Sequence, residues 1–151
     1  VLVGALFGWG YGAITGLVGL VVFAVTAAPT VIAYAGTAVV IAGLSSLLFR
    51  RGMLIRPGMT LLGGVLLGCG AAAASVPVTT FLYGGVSLAG ADAITGLFRS
   101  LGLPLWQSVL AGSLITDIVD KVATVFVCMA IVNSMPPRIK NRFPAFRKRS
   151  G

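Results

Sequence analysis

The sequence contains no histidine and few charged residues of either sign. Without an imidazole, a Ser-His-Asp triad, a His-ligated zinc site and a haem held by histidine are all excluded. Only 9% of the 151 residues are charged, whereas ordinary soluble domains carry about 25%. With a mean hydropathy of +1.05, the chain lacks the solvated surface of a soluble fold, and lipid is its expected solvent.

Cysteine is nearly absent, and the two cysteines lie far apart in the chain. Cys69 and Cys128 each lie inside an apolar run, and neither belongs to a CxxC motif. Since a free cysteine behaves as a small buried hydrophobe, we expect both to fill space between helices. The sequence therefore predicts no metal site and no cofactor.

Long apolar stretches make up most of the chain. A bilayer can be crossed only by helices or closed barrels, because every backbone polar group needs an internal partner. Barrels require alternating apolar and polar residues over strands of about ten residues, and this chain has continuous apolar runs instead. We therefore predict an all-α, polytopic membrane helix bundle over residues 1–136, with about five hydrophobic segments. Their expected bounds are 1–26, 30–49, 58–76, 86–102 and 105–135.

The basic residues are concentrated at the borders of the apolar segments. Three of the eleven lie within 50–56 and six lie within 137–151. They are segregated rather than interleaved with aromatic residues, so we expect no nucleic-acid partner. Because Lys and Arg collect on the cytoplasmic side of membranes, we predict a multi-pass plasma-membrane protein. Its basic juxtamembrane tail, 137–151, then lies in the cytoplasm next to membrane lipid.

Five crossings would create a conflict over the side of the 50–56 loop. With a cytoplasmic tail, they place the three arginines of this loop outside, against the usual distribution of positive charge. Two explanations are open. Either the external arginines attract an anionic substrate, or the segment 86–102 does not cross.

Glycines recur at helical spacing in the first and third apolar segments. In lipid, helices associate through small residues that allow their backbones to approach closely. We therefore predict that these glycines form helix-packing faces, with a docking face for a partner helix as the alternative. The predicted packing residues are Gly4, Gly8, Gly12, Gly16, Gly64 and Gly68.

Three charged residues interrupt the last apolar segment. Asp117, Asp120 and Lys121 recur at spacings of three and four residues, which places them on one polar stripe of a helix. An ionisable group at membrane depth costs about 2.5–3.5 kcal/mol and persists mainly when paired or functional. Either the three residues pair with one another or with Arg99 and lock the bundle, or they line a polar cavity. An Asp117–Lys121 pair would have the favourable order of charges along a helix.

Other polar residues near the ends of the segments extend the candidate site. Asp92 is an isolated carboxylate among small neighbours, which suggests a closely packed or cavity-facing position. Trp106 is typical of an interfacial anchor, with stacking on a ligand as the alternative. Two aspartates without a nucleophile or a metal-binding set do not define a reaction, so we expect no enzyme and no catalytic residue. The candidate substrate-binding residues are Asp92, Trp106, Gln107, Asp117, Asp120 and Lys121.

Several short stretches resemble the substrate-specific S components of energy-coupling factor transporters. The most telling is the Asp-x-x-Asp-Lys group at 117–121 in a final helix, followed by a Pro-Arg exit at 137–138 and a basic tail. The glycine-rich stretch 5–16 is similar to an early helix of that family. The remaining stretches are Tyr-Gly-Gly-Val-Ser at 83–87, Asp-Ala-Ile-Thr at 92–95 and Leu-Trp-Gln-Ser-Val at 105–109.

This resemblance implies a small six-helix membrane protein that captures a vitamin or similar micronutrient. Its partners would be a transmembrane coupling subunit and two ATPase subunits. Five hydrophobic segments instead of six imply that the family's first helix precedes the sequence given. The alternative is a structural or sensory membrane module, in which the same charged residues only stabilise the helix bundle.

Overall fold

The computed structural model describes residues 1–53, 57–86, 91–140 and 143. Every regular element in these residues is helical, which confirms the predicted all-α class. The elements are α1 (Leu2–Phe7), α2 (Trp9–Thr26), a 3₁₀ helix η1 (Pro29–Tyr34), α3 (Ala35–Arg50), α4 (Pro57–Tyr83), α5 (Asp92–Ser100), α6 (Leu105–Ser134) and α7 (Pro137–Lys140).

Three helical segments of the described chain are long and apolar enough to cross a membrane. They are Trp9–Thr26, Pro29–Arg50 and Gly58–Tyr83. Helix α6 has 30 residues, or about 45 Å, but every stretch of 18 residues within it includes all three of its charged side chains. The structure thus agrees with a membrane protein. The described chain has three long apolar helices of this kind, fewer than the five predicted segments.

The predicted first segment, 1–26, is two helices rather than one. Gly8 has φ +104°, a conformation that side chains with a Cβ rarely adopt, and it separates α1 from α2. A Cβ on Gly12 would lie 2.5 Å from the Cα of Gly4, although eight residues of straight helix would separate them by about 12 Å. The chain therefore turns back at Gly8, and the expectation of one glycine-lined helix is wrong here.

The third segment is longer than predicted. We expected it to end near residue 76, and Pro77 and the Gly84-Gly85 pair left that end poorly defined in the sequence; α4 continues through Pro77 to Tyr83. A proline removes one backbone donor and disturbs one turn, and membrane helices tolerate this when neighbouring groups compensate. The longer α4 carries Thr79 and Tyr83 beyond the proline, where both contact η1.

The fourth predicted segment, 86–102, forms a short helix. Helix α5 has nine residues and is about 14 Å long, whereas the hydrocarbon core of a bilayer is about 30 Å thick. It packs against α6, where Thr95 faces Gly112. Residues 87–90 lie outside the described residues. Since α5 is too short to cross, α4 and α6 run in opposite directions as consecutive long helices.

The two ends of the bundle differ in character. At one end, Leu48 and Phe49 join an apolar cluster with Val132, and Met53 and Met135 pack against it. The phenyl rings of Phe7 and Phe143 meet there edge to face, with centroids 5.2 Å apart. We call this the basic end, because the exposed Arg50, Arg51 and Arg138 lie beside this cluster. The opposite end is the tyrosine end, where Tyr34 and Tyr83 stack.

Helices α4 and α6 form the most extensive contact in the fold, and glycines allow it. A Cβ on Gly68 would lie 2.6 Å from the Cα of Ile118, and one on Gly64 would lie 2.8 Å from the Cα of Val122. The two backbones therefore touch without intervening side chains. Gly16 of α2 similarly faces Ala38 of α3, at 3.4 Å from its Cβ.

We predict that Gly68→Ala lowers the melting temperature of the detergent-purified protein. The new methyl group would push α6 away from α4, and overpacking of this kind costs about 1–3 kcal/mol. Gly43→Ala in α3 is the matched control, because a Cβ there meets nothing within 4 Å. It should be neutral or stabilising by up to about 1 kcal/mol. A Gly68→Ala protein as stable as the control would contradict the backbone contact.

Candidate functional site

A cavity of about 340 Å³ lies between the helices toward the tyrosine end. Its apolar wall includes Leu20 and Phe23 of α2 and Ile41 of α3. Ligand pockets commonly have volumes of about 300–1,000 Å³ and combine apolar walls with a few polar groups. The polar lining comprises Tyr34, Thr37, Ser75, Thr79, Ser113, Thr116, Asp117 and Lys121.

The spacing of polar residues on α6 explains why some face the cavity and others do not. Ser113, Asp117 and Lys121 are four residues apart and therefore share one face of the helix. Asp120 precedes Lys121 by one residue, or about 100° around the helix axis, and 58% of its side chain is exposed. The predicted single stripe is thus divided between the cavity and the outer surface.

Lys121 pairs with Asp120 rather than with Asp117. The Nζ atom of Lys121 donates to the Asp120 carboxylate, and this is the only ion pair within the described chain. The predicted pair between Asp117 and Lys121 does not form, and Arg99 lies exposed near the end of α5. The Lys121 ammonium group binds the carboxylate of the preceding residue, so its positive charge is already paired.

Within the described chain, the Asp117 carboxylate is only weakly hydrogen-bonded. Its Oδ2 accepts one hydrogen bond, 3.4 Å long, from the Ser75 hydroxyl of α4. A carboxylate offers about four acceptor positions, and a hydroxyl-to-oxygen bond is normally about 2.7–2.8 Å long. This cavity-facing carboxylate has no cationic partner within 4.0 Å in the described chain.

Two tyrosines attach η1 to the end of α4 beside the cavity. The hydroxyls of Tyr34 and Thr79 are hydrogen-bonded at 2.8 Å, and the Tyr83 hydroxyl donates to the Thr30 carbonyl. The two tyrosine rings stack with centroids 5.8 Å apart and planes 24° from parallel. These contacts join segments 45 or more residues apart in sequence and position Tyr34 in the cavity wall.

The structure brings only some of the predicted site residues to the cavity. Asp117 and Lys121 line it, and Asp92 follows the lining residue Ala91 at the start of α5. Trp106 and Gln107, in the first turn of α6, are not among the described lining residues. Trp106 is 54% exposed.

The predicted packing glycines do not all pack against another helix in the described structure. Gly4 and Gly12 meet where α1 turns back on α2, and Gly16 faces α3. Gly8 occupies the break itself, and a Cβ there meets nothing within 4 Å, so it has no packing role. Of the cysteines, Cys128 is buried as expected, while Cys69 is exposed.

Sequence reasoning missed the hydroxyl side chains that line the cavity. Thr37, Ser75 and Thr79 lie inside apolar runs on different helices, where a single hydroxyl is common and forms no motif. The spacing of Ser75 and Thr79, seven and eleven residues after Gly68, was the available signal. It places them near the helix face that contacts α6.

No known protein family, curated protein or solved structure matches this chain.

We predict that Thr37→Val raises the melting temperature of the ligand-free protein. The Thr37 hydroxyl is buried beside the cavity and has no hydrogen-bond partner among the described residues, and such a group costs about 1–3 kcal/mol. Valine has nearly the same shape and removes that cost.

Two further variants serve as controls for this prediction. The Thr80 hydroxyl is also buried without a partner in the part of the chain that the structure describes, and it is not among the lining residues, so Thr80→Val should stabilise the protein similarly. Thr79→Val should destabilise it by about 1 kcal/mol, because it breaks the bond to Tyr34. A lower melting temperature for Thr37→Val would contradict the assignment of an unpaired hydroxyl.

Proposed function

We propose that this protein is the membrane-embedded, substrate-binding subunit of an uptake transporter. It captures a small solute in the cavity between its helices and delivers it to an ATPase-driven partner complex. The observation that carries this proposal is the cavity-facing Asp117 carboxylate, which has no ion-pair partner among the described residues. Ionisable residues inside membrane bundles are costly, and those that face a cavity commonly belong to substrate or ion pathways.

The cavity volume supports a small solute. A volume of about 340 Å³ lies at the lower end of the range for ligand pockets. The combination of an apolar wall, several hydroxyls and one carboxylate suits a compact molecule with both apolar and polar groups. A micronutrient of the vitamin type, which the resemblance to S components implies, meets these requirements.

The distribution of charge supports one orientation in the plasma membrane. Since α5 does not cross, Arg50 and Arg51 are at the same end of the bundle as Arg138. Positive residues favour the cytoplasmic side, so the basic end and the tail that follows are cytoplasmic in this proposal. The tyrosine end and its nearby cavity then face outside, as capture of an external solute requires. With five crossings, the arginines of the 50–56 loop would have been outside. The orientation proposed here does not require external arginines.

The proposed partners follow from the same resemblance. A transmembrane coupling subunit would bind the bundle laterally, and a pair of ATPase subunits would supply energy for release of the solute. If the protein is expressed together with such subunits, we expect them to copurify. A stable complex that lacks them would favour the structural or sensory alternative.

Cysteine labelling tests the orientation. We expect Arg51→Cys and Arg138→Cys, made after replacement of Cys69 and Cys128, to react with a membrane-impermeant maleimide only in permeabilised cells. Leu101→Cys, which follows α5 and is 68% exposed in the parent protein, should react in intact cells. Opposite labelling of positions 51 and 138 would contradict an arrangement in which both lie at one end.

A thermal-shift screen of vitamins on the purified protein tests the proposed function. A ligand present at 100 times its dissociation constant stabilises a protein by about 2.7 kcal/mol, so a true substrate should raise the melting temperature clearly. Thr37→Phe should abolish the shift, because its ring would fill the cavity without breaking a hydrogen bond. If no vitamin stabilises the protein and Asp117→Asn folds normally, the structural or sensory module is the better explanation.

A further inference from the structure

We infer that the cavity selects a solute that carries a positively charged nitrogen, and that the Asp117 carboxylate binds it. This inference rests on the proposed function, because it names the substrate class of the same cavity. Four observations support it: the location of the acidic residues, the pairing of Lys121, the weak bonding of Asp117 and the apolar opposite wall.

Each acidic residue of this basic chain either lines the cavity or is the sequence neighbour of a residue that does. The sequence has a net charge of +8 and only three acidic residues. Asp117 lines the cavity, Asp92 follows the lining residue Ala91, and Asp120 binds the lining residue Lys121. The described basic end is on the opposite side of the bundle. One of the acidic residues, Asp117, therefore carries its negative charge at the cavity, while Arg50, Arg51 and Arg138 lie at the basic end.

The positive charge nearest to Asp117 is already engaged. Lys121 Nζ binds the Asp120 carboxylate, and the lysine side chain is only 14% exposed. Among the described lining residues, α2, η1, α3 and α4 contribute no charged side chain. The group formed by Asp117, Asp120 and Lys121 thus has a net charge of about −1 when all three are ionised. A cation of single charge would balance it.

A cation compensates Asp117 better than a neutral solute does. An ionised carboxylate removed from water is costly unless it is paired and hydrogen-bonded. A neutral hydroxyl can donate one ordinary hydrogen bond, whereas an ammonium group supplies both charge and donors, and such bonds are stronger. Phe23 and Ile41 form the apolar wall and would contact the hydrocarbon part of the solute. The substrate class is therefore a small amphipathic amine.

Three probes with the same ring and different charge test this inference. Benzylamine is cationic at pH 7, benzyl alcohol is neutral and benzoate is anionic. Binding is measured by titration calorimetry on the full chain in detergent, and the signal of Thr37→Phe is subtracted to remove partition into detergent. We expect benzylamine to bind about ten times more tightly than benzyl alcohol, and benzoate to bind most weakly.

Variants of the carboxylate locate the source of this preference. Asp117→Asn should abolish the preference, so that benzylamine and benzyl alcohol bind with similar affinities. Asp117→Glu retains the charge and should retain a preference for the amine. Thr37→Val is the matched control, because it alters a neutral group of the same cavity. It should change the affinities for both probes by a similar factor and preserve their ratio.

The outcomes separate this inference from the proposed function. Equal binding of benzylamine and benzyl alcohol, both lost in Thr37→Phe, would overturn the cationic class and leave a solute-binding cavity. Tighter binding of benzoate would overturn it also and would identify Lys121 as the recognition group. If none of the probes binds, the inference fails, and the vitamin screen decides the proposed function separately. The wild-type ratio remains informative even if Asp117→Asn does not fold.

Discussion

The backbone contact between α4 and α6 is the constraint on which the candidate site depends. Helices in lipid gain little from burying one apolar side chain against another, so close approach through small residues must hold them. Gly64 and Gly68 permit that approach, and a Cβ on Gly68 would also lie 2.9 Å from the carbonyl oxygen of Asp117. The contact therefore fixes the position of the residue whose carboxylate faces the cavity, and Ser75, two turns further along α4, bonds to that carboxylate.

The short α5 helix has consequences for the whole molecule. Because it does not cross, Arg50 and Arg51 come to the same end of the bundle as Arg138. The location of these three arginines at one end thus depends on a helix that is only nine residues long. Ala91, next to the start of α5, lines the cavity.

Local sequence signals predicted the fold class better than they predicted the course of each helix. Apolar runs without alternation were sufficient for an all-α chain, and the bounds of α6 agree closely with the predicted segment 105–135. Gly8 and Pro77 show the limits of these signals. Gly8 ends a helix that the glycine spacing predicted to continue, since its positive φ permits the turn against α1. Pro77, which left the end of the predicted segment poorly defined, lies inside α4.

The sequence by itself determined the kind of molecule: its apolar runs need helices in lipid, and its basic residues mark their ends. It also identified Asp117, Asp120 and Lys121 as ionisable residues that cost free energy at membrane depth and therefore need a partner or a function. Only the tertiary structure decided that Lys121 pairs with Asp120, and that Asp117 faces a cavity with Thr37 and Thr79. Helical spacing orders residues around one axis, but the rotation of each helix relative to the others depends on contacts between distant segments. The partners of a side chain on a neighbouring helix therefore appear only when the bundle is assembled.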